Sequence, residues 1–336
     1  MEKDFQVMKV ALVLPYFGKF DKLFPLWLAS CKWNPHIDWM IFTDDKSEYE
    51  YPANVKVHYM SFKKLKSKIQ SLYDFPISLE TPYRLCNFKP AYGEIFKEYL
   101  EDYDVWGFCD NDMVYGQILD NVPTDIPQLF KIGKFGHLSF VAKNAQQHLY
   151  RYNNAYKIAF ATPRPLFFDE GCFMKILSKF GYSEIPLHIA DLKPRVWKHI
   201  VLSDSDDGNR DIKYHCFVWD KGILMRYYLN ERGSIEKEEY VYIHFLKRPM
   251  AVDEKLDVNR PVVIVPNRIF NMDLSQITPE FLKKVCKNKI FWDYWKNSFR
   301  PKNFWERLKN RLYQTRKDVS LINKMNKIVD EKSCLD

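Results

Sequence analysis

Trp106-Gly107-Phe108-Cys109-Asp110-Asn111-Asp112-Met113-Val114-Tyr115-Gly116 is an apolar run cut off by two aspartates one residue apart. It reads as a strand followed by a polar turn. Residues i and i+2 of an extended segment project to the same side, so the carboxylates of Asp110 and Asp112 converge at the strand end. Converging carboxylates repel unless a cation lies between them, and such oxygen ligands suit Mg²⁺ or Mn²⁺. A divalent ion held by few protein ligands keeps positions open for phosphate oxygens, which is the chemistry of a nucleoside-diphosphate site. The triplet alone does not decide this, because Asp and Asn also favour plain turns by bonding their own backbone. The spacing of a calcium loop is absent.

Outward from this stretch, strands and helices alternate. Residues 7–14 read as a first strand that breaks at Pro15 and Gly18, Phe24–Trp33 as a helix ended by Asn34-Pro35, and Trp39–Thr43 as a second strand ending in Asp44-Asp45. Val55–Met60 reads as a third strand, Ser61–Tyr73 and Pro90–Tyr99 as helices, and Asp104–Cys109 as the strand that feeds the aspartates. The expected fold is α/β with a mostly parallel central sheet flanked by helices. In such sheets ligands bind beyond the carboxyl ends of strands, where Pro15-Tyr16, Thr43-Asp44 and Asp110–Asp112 all fall. The second half is less regular: strands at His137–Ala142 and 240–245, a helix over Cys172–Phe180, and an acidic loop at 203–211 that reads as solvated.

The chain of 336 residues carries a net charge of +8, unevenly placed. Phe281–Lys317 holds 12 Lys and Arg against 2 acidic residues, so the remainder is slightly acidic. This segment also carries Phe304, Leu308 and Leu312 at helical spacing. Such a helix can lie in a membrane interface with its cations on anionic lipid, or dock on its own domain. No nucleic-acid module accompanies the charge. No apolar run reaches membrane-spanning length. Val7–Leu14 carries Lys9 and no small-residue cleavage site, so it reads as a strand and not a signal peptide. Seven cysteines without a C-x-x-C pair argue against a disulfide framework or zinc cluster, and for a reducing cytoplasm.

Several blocks in order carry a resemblance. Trp106–Gly116, the upstream Pro82-Tyr83-Arg84-Leu85-Cys86-Asn87-Phe88-Lys89-Pro90-Ala91-Tyr92-Gly93, and the opening Leu14-Pro15-Tyr16-Phe17-Gly18 with Ser30-Cys31, Asn34-Pro35 and Ile41–Asp44 resemble bacterial polysaccharide-biosynthesis glycosyltransferases of the GT-A fold. The likeness spans roughly residues 8–250; Asn87 stands where an Asp would be expected before Phe88-Lys89-Pro90. It implies a catalytic domain at 1–265 and a C-terminal helical segment at 266–336. His244, at the end of the aromatic strand Tyr240–Phe245, resembles the late His that completes the metal shell in such enzymes. On that analogy Asp112 and His244 ligate Mn²⁺ or Mg²⁺, with Asp110 on the metal or the ribose and Asn111 beside them.

The remaining roles follow in the same terms. Lys247 and Arg248 would offset charge on the leaving diphosphate, and Arg84 and Lys89, near a helix start, either contact donor phosphates or stay solvated. Pro15, Tyr16, Thr43 and Asp44 would meet the nucleoside. Asp169 and Glu170, ahead of a helix, either cap it or act on acceptor and sugar, as base in an inverting reaction or hydrogen-bond partner in a retaining one. His137 and Asn144 are acceptor-side candidates. Trp197, Trp219 and Tyr214 either stack on sugars or fill the core. The implied activity is transfer from a nucleotide sugar, UDP-linked by preference, to a surface polysaccharide or lipid-linked glycan at the inner face of the plasma membrane. The competing readings are a non-catalytic scaffold of the same fold, a sugar nucleotidyltransferase (for which Pro15–Gly18 is a poor phosphate loop), and a basic nucleic-acid-binding protein.

Overall fold

The computed structural model describes residues 8–123, 125, 127–133, 135–142, 148–191, 214–245, 250–266, 268–286 and 304–331, with side chains throughout except at 191 and 304–315. Its largest sheet has seven strands, β1 (Val10–Pro15), β2 (Ile37–Thr43), β3 (Val55–Tyr59), β4 (Val105–Cys109), β6 (Phe130–Ile132), β7 (Leu138–Ala142) and β8 (Ser183–Ile185), in the order β3-β2-β1-β4-β7-β6-β8. β3, β2, β1 and β4 run parallel. Apolar clusters cover both faces, which is why β1 and β4 read as unbroken hydrophobic runs. Strand order reverses between β1 and β4, making the crevice beyond their carboxyl ends the switch point where α/β sheets bind ligands.

The sheets are mixed, and this corrects the expectation of a mostly parallel architecture. β7 is antiparallel to both β4 and β6. Only residues 133–137 join β6 to β7, too short a link for a parallel crossover. Gly107 permits the β4–β7 contact: a Cβ there would sit 2.1 Å from the Ser139 carbonyl oxygen.

A second sheet of six strands contains β10 (His215–Asp220), β11 (Ile223–Leu229), β12 (Ile235–Glu239), β14 (Ala251–Val252), β15 (Val262–Val265) and β16 (Arg268–Asn271). It is antiparallel except for β14 beside β16. The β15–β16 hairpin straddles residue 265, so the expected boundary there falls inside one sheet. A third sheet joins β5 (Met113–Tyr115), β13 (Tyr242–His244) and β9 (Ile189–Asp191).

The helices are α1 (Phe24–Lys32), α2 (Phe62–Gln70), α3 (Tyr92–Ile95), α4 (Lys97–Leu100), α5 (Ala155–Ala161), α6 (Cys172–Lys179), α7 (Pro279–Val285) and α8 (Phe304–Glu331). The expected helix over Pro90–Tyr99 is broken: a 3₁₀ helix runs Pro82–Ala91, and α3 and α4 are separated at Phe96. The C-terminal part of α8 docks on α5 and α6, with Met325 and Val329 fully buried in the main core cluster. Arg164–Asp318 (2.7 Å) and Lys175–Asp330 (3.2 Å) flank that contact. The side chains of Phe304, Leu308 and Leu312 lie outside the described residues. Among the described residues no helix is long and apolar enough to cross a membrane.

Candidate functional site

The three-stranded sheet assembles a cluster that no single segment contains. β4 delivers Asp110 at its end, and the chain turns directly into β5. β5 pairs antiparallel with β13 so that His244 stands opposite Met113. The Phe245 amide donates to the Asp112 carbonyl at 2.9 Å, fixing this register at the aspartate itself. Asp110 is pinned from three sides: its amide donates to the His137 carbonyl (2.9 Å), and its carbonyl accepts from Trp27 Nε1 (3.1 Å) and the Tyr115 hydroxyl (3.3 Å). His244 Nε2 lies 3.5 Å from Asp112 Oδ1. One ligand atom each from Asp110, Asp112 and His244 falls within 4.8 Å of the others. Two carboxylates and an imidazole are a donor set that could hold Mn²⁺ or Mg²⁺ with positions left open.

Behind the cluster runs a hydrogen-bonded chain that starts at the buried Lys89. Lys89 Nζ donates to Asp110 Oδ1 at 2.7 Å and to the Gly136 carbonyl at 2.7 Å. Burial works against its charge, but the negative charges of Asp110 and Asp169 outweigh that and raise its pKa. Gly136 in turn donates its amide to Glu170 Oε1 at 2.8 Å. A Cβ at 136 would sit 1.9 Å from Asp169 Oδ2, so only glycine lets that carboxyl approach. Asp169 is buried, which pushes its pKa up to about 6; Lys89 pulls it down while Glu170 and Asp110 push it further up. A carboxyl tuned this way is ionised at neutral pH yet close to its titration, the range suited to a general base.

These groups line one cleft of about 1010 Å³, together with Pro15, Tyr16 and Asn111. Tyr16 stacks on Phe20 (4.4 Å between ring centroids) and its hydroxyl meets the Asn111 side chain. His137 also lines the cleft, its ring 4.1 Å from that of His244. Of the expected site residues, then, the structure brings together Pro15, Tyr16, Lys89, Asp110, Asn111, Asp112, Asp169, Glu170 and His244.

Four others stand elsewhere. Arg84 is buried outside the cleft lining, its Nη2 donating to the carbonyls of Thr162 and Arg164. Thr43 is buried and accepts from the Asp45 amide at 3.0 Å. Asp44 accepts from the Gly18 amide at 2.8 Å, tying the loop after β2 to the loop after β1. Trp219 is core, its Nε1 donating to the Tyr115 carbonyl at 2.8 Å. Lys247, Arg248, Asn144, Trp197 and the 203–211 loop lie outside the described residues.

Sequence reasoning missed Asp21, Gly136, Tyr83 and Phe167, which also line the cleft. Asp21 is raised by burial, lowered by the Leu23 amide it accepts, and raised again by the charge of Asp112. No spacing marks it. Gly136 had a usable signal, a glycine directly before a histidine at a strand start, where close backbone approach is common.

No curated protein matches the chain. A family model described as "Family of unknown function (DUF6625)" matches residues 12–273, a span that holds most of β1, all of β2, β3 and β4, both aspartates of the cluster, His244 and the Asp169-Glu170 pair. With most of its length and its whole candidate site inside that match, the chain belongs to the DUF6625 family of unknown function.

Proposed function

We propose that this protein is a metal-dependent, GT-A-like glycosyltransferase that moves a sugar from a nucleoside-diphosphate donor, UDP-linked by preference, to a glycan or lipid-linked acceptor. The observation that carries this reading is the β5–β13 register, which draws His244 to the two motif aspartates beside the β1–β4 switch point. A divalent ion bound there would neutralise charge on the departing diphosphate.

The chain's own groups divide the rest of the work. Lys89 holds Asp110 in one orientation through its 2.7 Å ion pair and leaves Asp112 and His244 facing each other. Tyr16 and Asn111 stand at the nucleoside end. Asp169, largely ionised at pH 7, can accept the proton of an acceptor hydroxyl as the new glycosidic bond forms and the diphosphate leaves, or can hydrogen-bond the donor sugar in a retaining reaction. Glu170, held by the Gly136 amide, flanks it. The basic segment Phe281–Lys317 would meet an anionic membrane surface and bring the cleft to lipid-linked acceptors.

The test is a thermal-shift panel of nucleotide sugars, each with and without Mn²⁺, since a ligand of the native state raises its apparent stability. One UDP-sugar should raise the midpoint only with the metal, and Asp112→Asn should remove that rise while the ligand-free midpoint holds. No rise with any nucleotide sugar in the presence of metal would favour a non-catalytic scaffold of the same fold.

A further inference from the structure

Two segments that border the cleft are tied into one lip. Arg84 Nη2 donates to the carbonyls of Thr162 and Arg164. Asn87 Nδ2 donates to the Arg164 carbonyl at 3.0 Å and to Ala159 at 2.7 Å, while its Oδ1 accepts from the Leu166 amide at 3.1 Å. Both side chains are buried. An Asp at position 87 would lack the two N–H donors that Asn87 uses here.

This lip presents two rings to solvent at the cleft, Tyr83 at 57% exposure and Phe167 at 60%. A single exposed aromatic residue is ordinary. Two on one braced lip of one cleft are less so, and Phe167 has in addition a φ of +50°. A bulky residue in the left-handed region is strained and persists only where its surroundings hold it there. Here the Phe167 carbonyl accepts from the Gly171 amide at 3.0 Å, Phe168 is fully buried next to it, and Asp169 is buried beside Gly136. The backbone that sends Phe168 inward sends Phe167 out.

The chemistry of the opening fits a sugar. Pyranose rings have an apolar C–H face that packs on aromatic rings and a rim of hydroxyls that seek acceptors, which Asp169 and Glu170 supply on the same cleft wall. The nucleoside end is already furnished by Tyr16 and Asn111 beside β1, whereas Asp169 and Glu170 meet Gly136 ahead of β7, farther along the sheet. We infer that Tyr83 and Phe167 form the acceptor platform of this enzyme, a subsite that takes one face of a pyranose ring of the acceptor glycan. The inference rests on the glycosyltransferase reading.

The experiment uses the full chain with Mg²⁺ and UDP and a panel of methyl glycosides of the common hexoses, whose aglycone cannot itself stack. Binding is read by saturation-transfer difference NMR, and UDP binding by calorimetry on the same samples. At least one glycoside should bind with its strongest signals on the C–H protons of one ring face. Phe167→Ala and Tyr83→Ala should each weaken it about tenfold, in line with the loss of one stacked ring, with UDP affinity unchanged. Phe167→Trp should retain binding. Phe167→Gly, which relieves the positive φ, should unfold at the same or a higher temperature and still lose the glycoside, separating recognition from folding. Glycosides that bind the variants as well as the parent, or no glycoside binding while UDP binds, would overturn the platform alone. Absence of UDP binding would overturn the UDP-linked donor reading beneath it.

Discussion

Lys89 and Asp110 form a partly buried ion pair, 2.7 Å from Nζ to Oδ1, in which the lysine reaches forward from the 3₁₀ segment Pro82–Ala91 to the end of β4. The lysine side chain is 9% exposed and the aspartate 35%. The pair links the 82–93 block to the aspartate motif, two stretches that are separate in the sequence.

Removing the cation should therefore cost stability as well as function. Lys89→Met leaves Asp110 and Asp169 facing one another without compensation, and the expected loss is about 3 kcal/mol, at the low end for a broken buried pair because Asp110 is partly in solvent. Urea unfolding of Lys89→Met beside the double variant Lys89→Met/Asp110→Asn checks this. The double variant should recover part of the loss.

Gly136→Ala should be disruptive out of proportion to one methyl group. The new Cβ would lie 1.9 Å from Asp169 Oδ2, so either the carboxyl or the backbone moves. Overpacking of this kind costs about 1–3 kcal/mol, and the shift in urea midpoint measures it. If the protein is the glycosyltransferase proposed above, the displaced Asp169 should also lower turnover more than substrate affinity.

Asp169 gives the pH dependence a sign. Its carboxyl, pushed up to about 6 by burial, binds a proton more tightly in the native state than in the unfolded chain, where the ordinary value is 3.8. Between those values the native state holds the extra proton, so this group's contribution to stability falls as pH rises from about 4 to about 6, by roughly 3 kcal/mol in all. Asp169→Asn should flatten that slope in a pH series of unfolding curves. If Asp169 acts as the base, turnover should climb to a plateau above about pH 6, and Asp169→Asn should lower it by about 10²- to 10⁴-fold.

The docked end of α8 makes a prediction that a tail directed only at membranes would not. Met325 is 1% exposed in the main core cluster, so Met325→Ala should destabilise the whole domain by about 2–5 kcal/mol. Calorimetry without lipid should show the change in the single main transition.

The parallel half of the fold was legible because β1, β2 and β4 are apolar runs stopped by Pro15, Asp44 and Asp110. The mixed edge was not, since nothing local in β7 states which way its neighbours run. The six-stranded sheet escaped despite one clear mark. Lys221 and Gly222 both have positive φ, the two-residue turn of a tight hairpin, and Asp220-Lys221-Gly222 announces it. β5 and β9 are three residues each, too short for periodicity to speak, whereas the strand expected at 240–245 is present as β13. At the site, the aspartates and His244 could be read from residue type, whereas the Lys89–Gly136–Glu170 chain is long-range contact that no spacing encodes. Thr43, Asp44 and Arg84 had the right chemistry for a donor but satisfy backbone groups instead.

The β5–β13 pairing also sets an order of events during synthesis. The two carboxylates leave the ribosome about 130 residues ahead of the imidazole that joins them, and domains fold as their last required strand arrives. A one-residue slip of β13 would turn His244 to the opposite face and bring Phe245 or Ile243 into its place. A chain ending before 240 would lack the imidazole and so have no Asp110–Asp112–His244 cluster, and cation binding by the proposed site would begin only once residue 244 has joined the two aspartates.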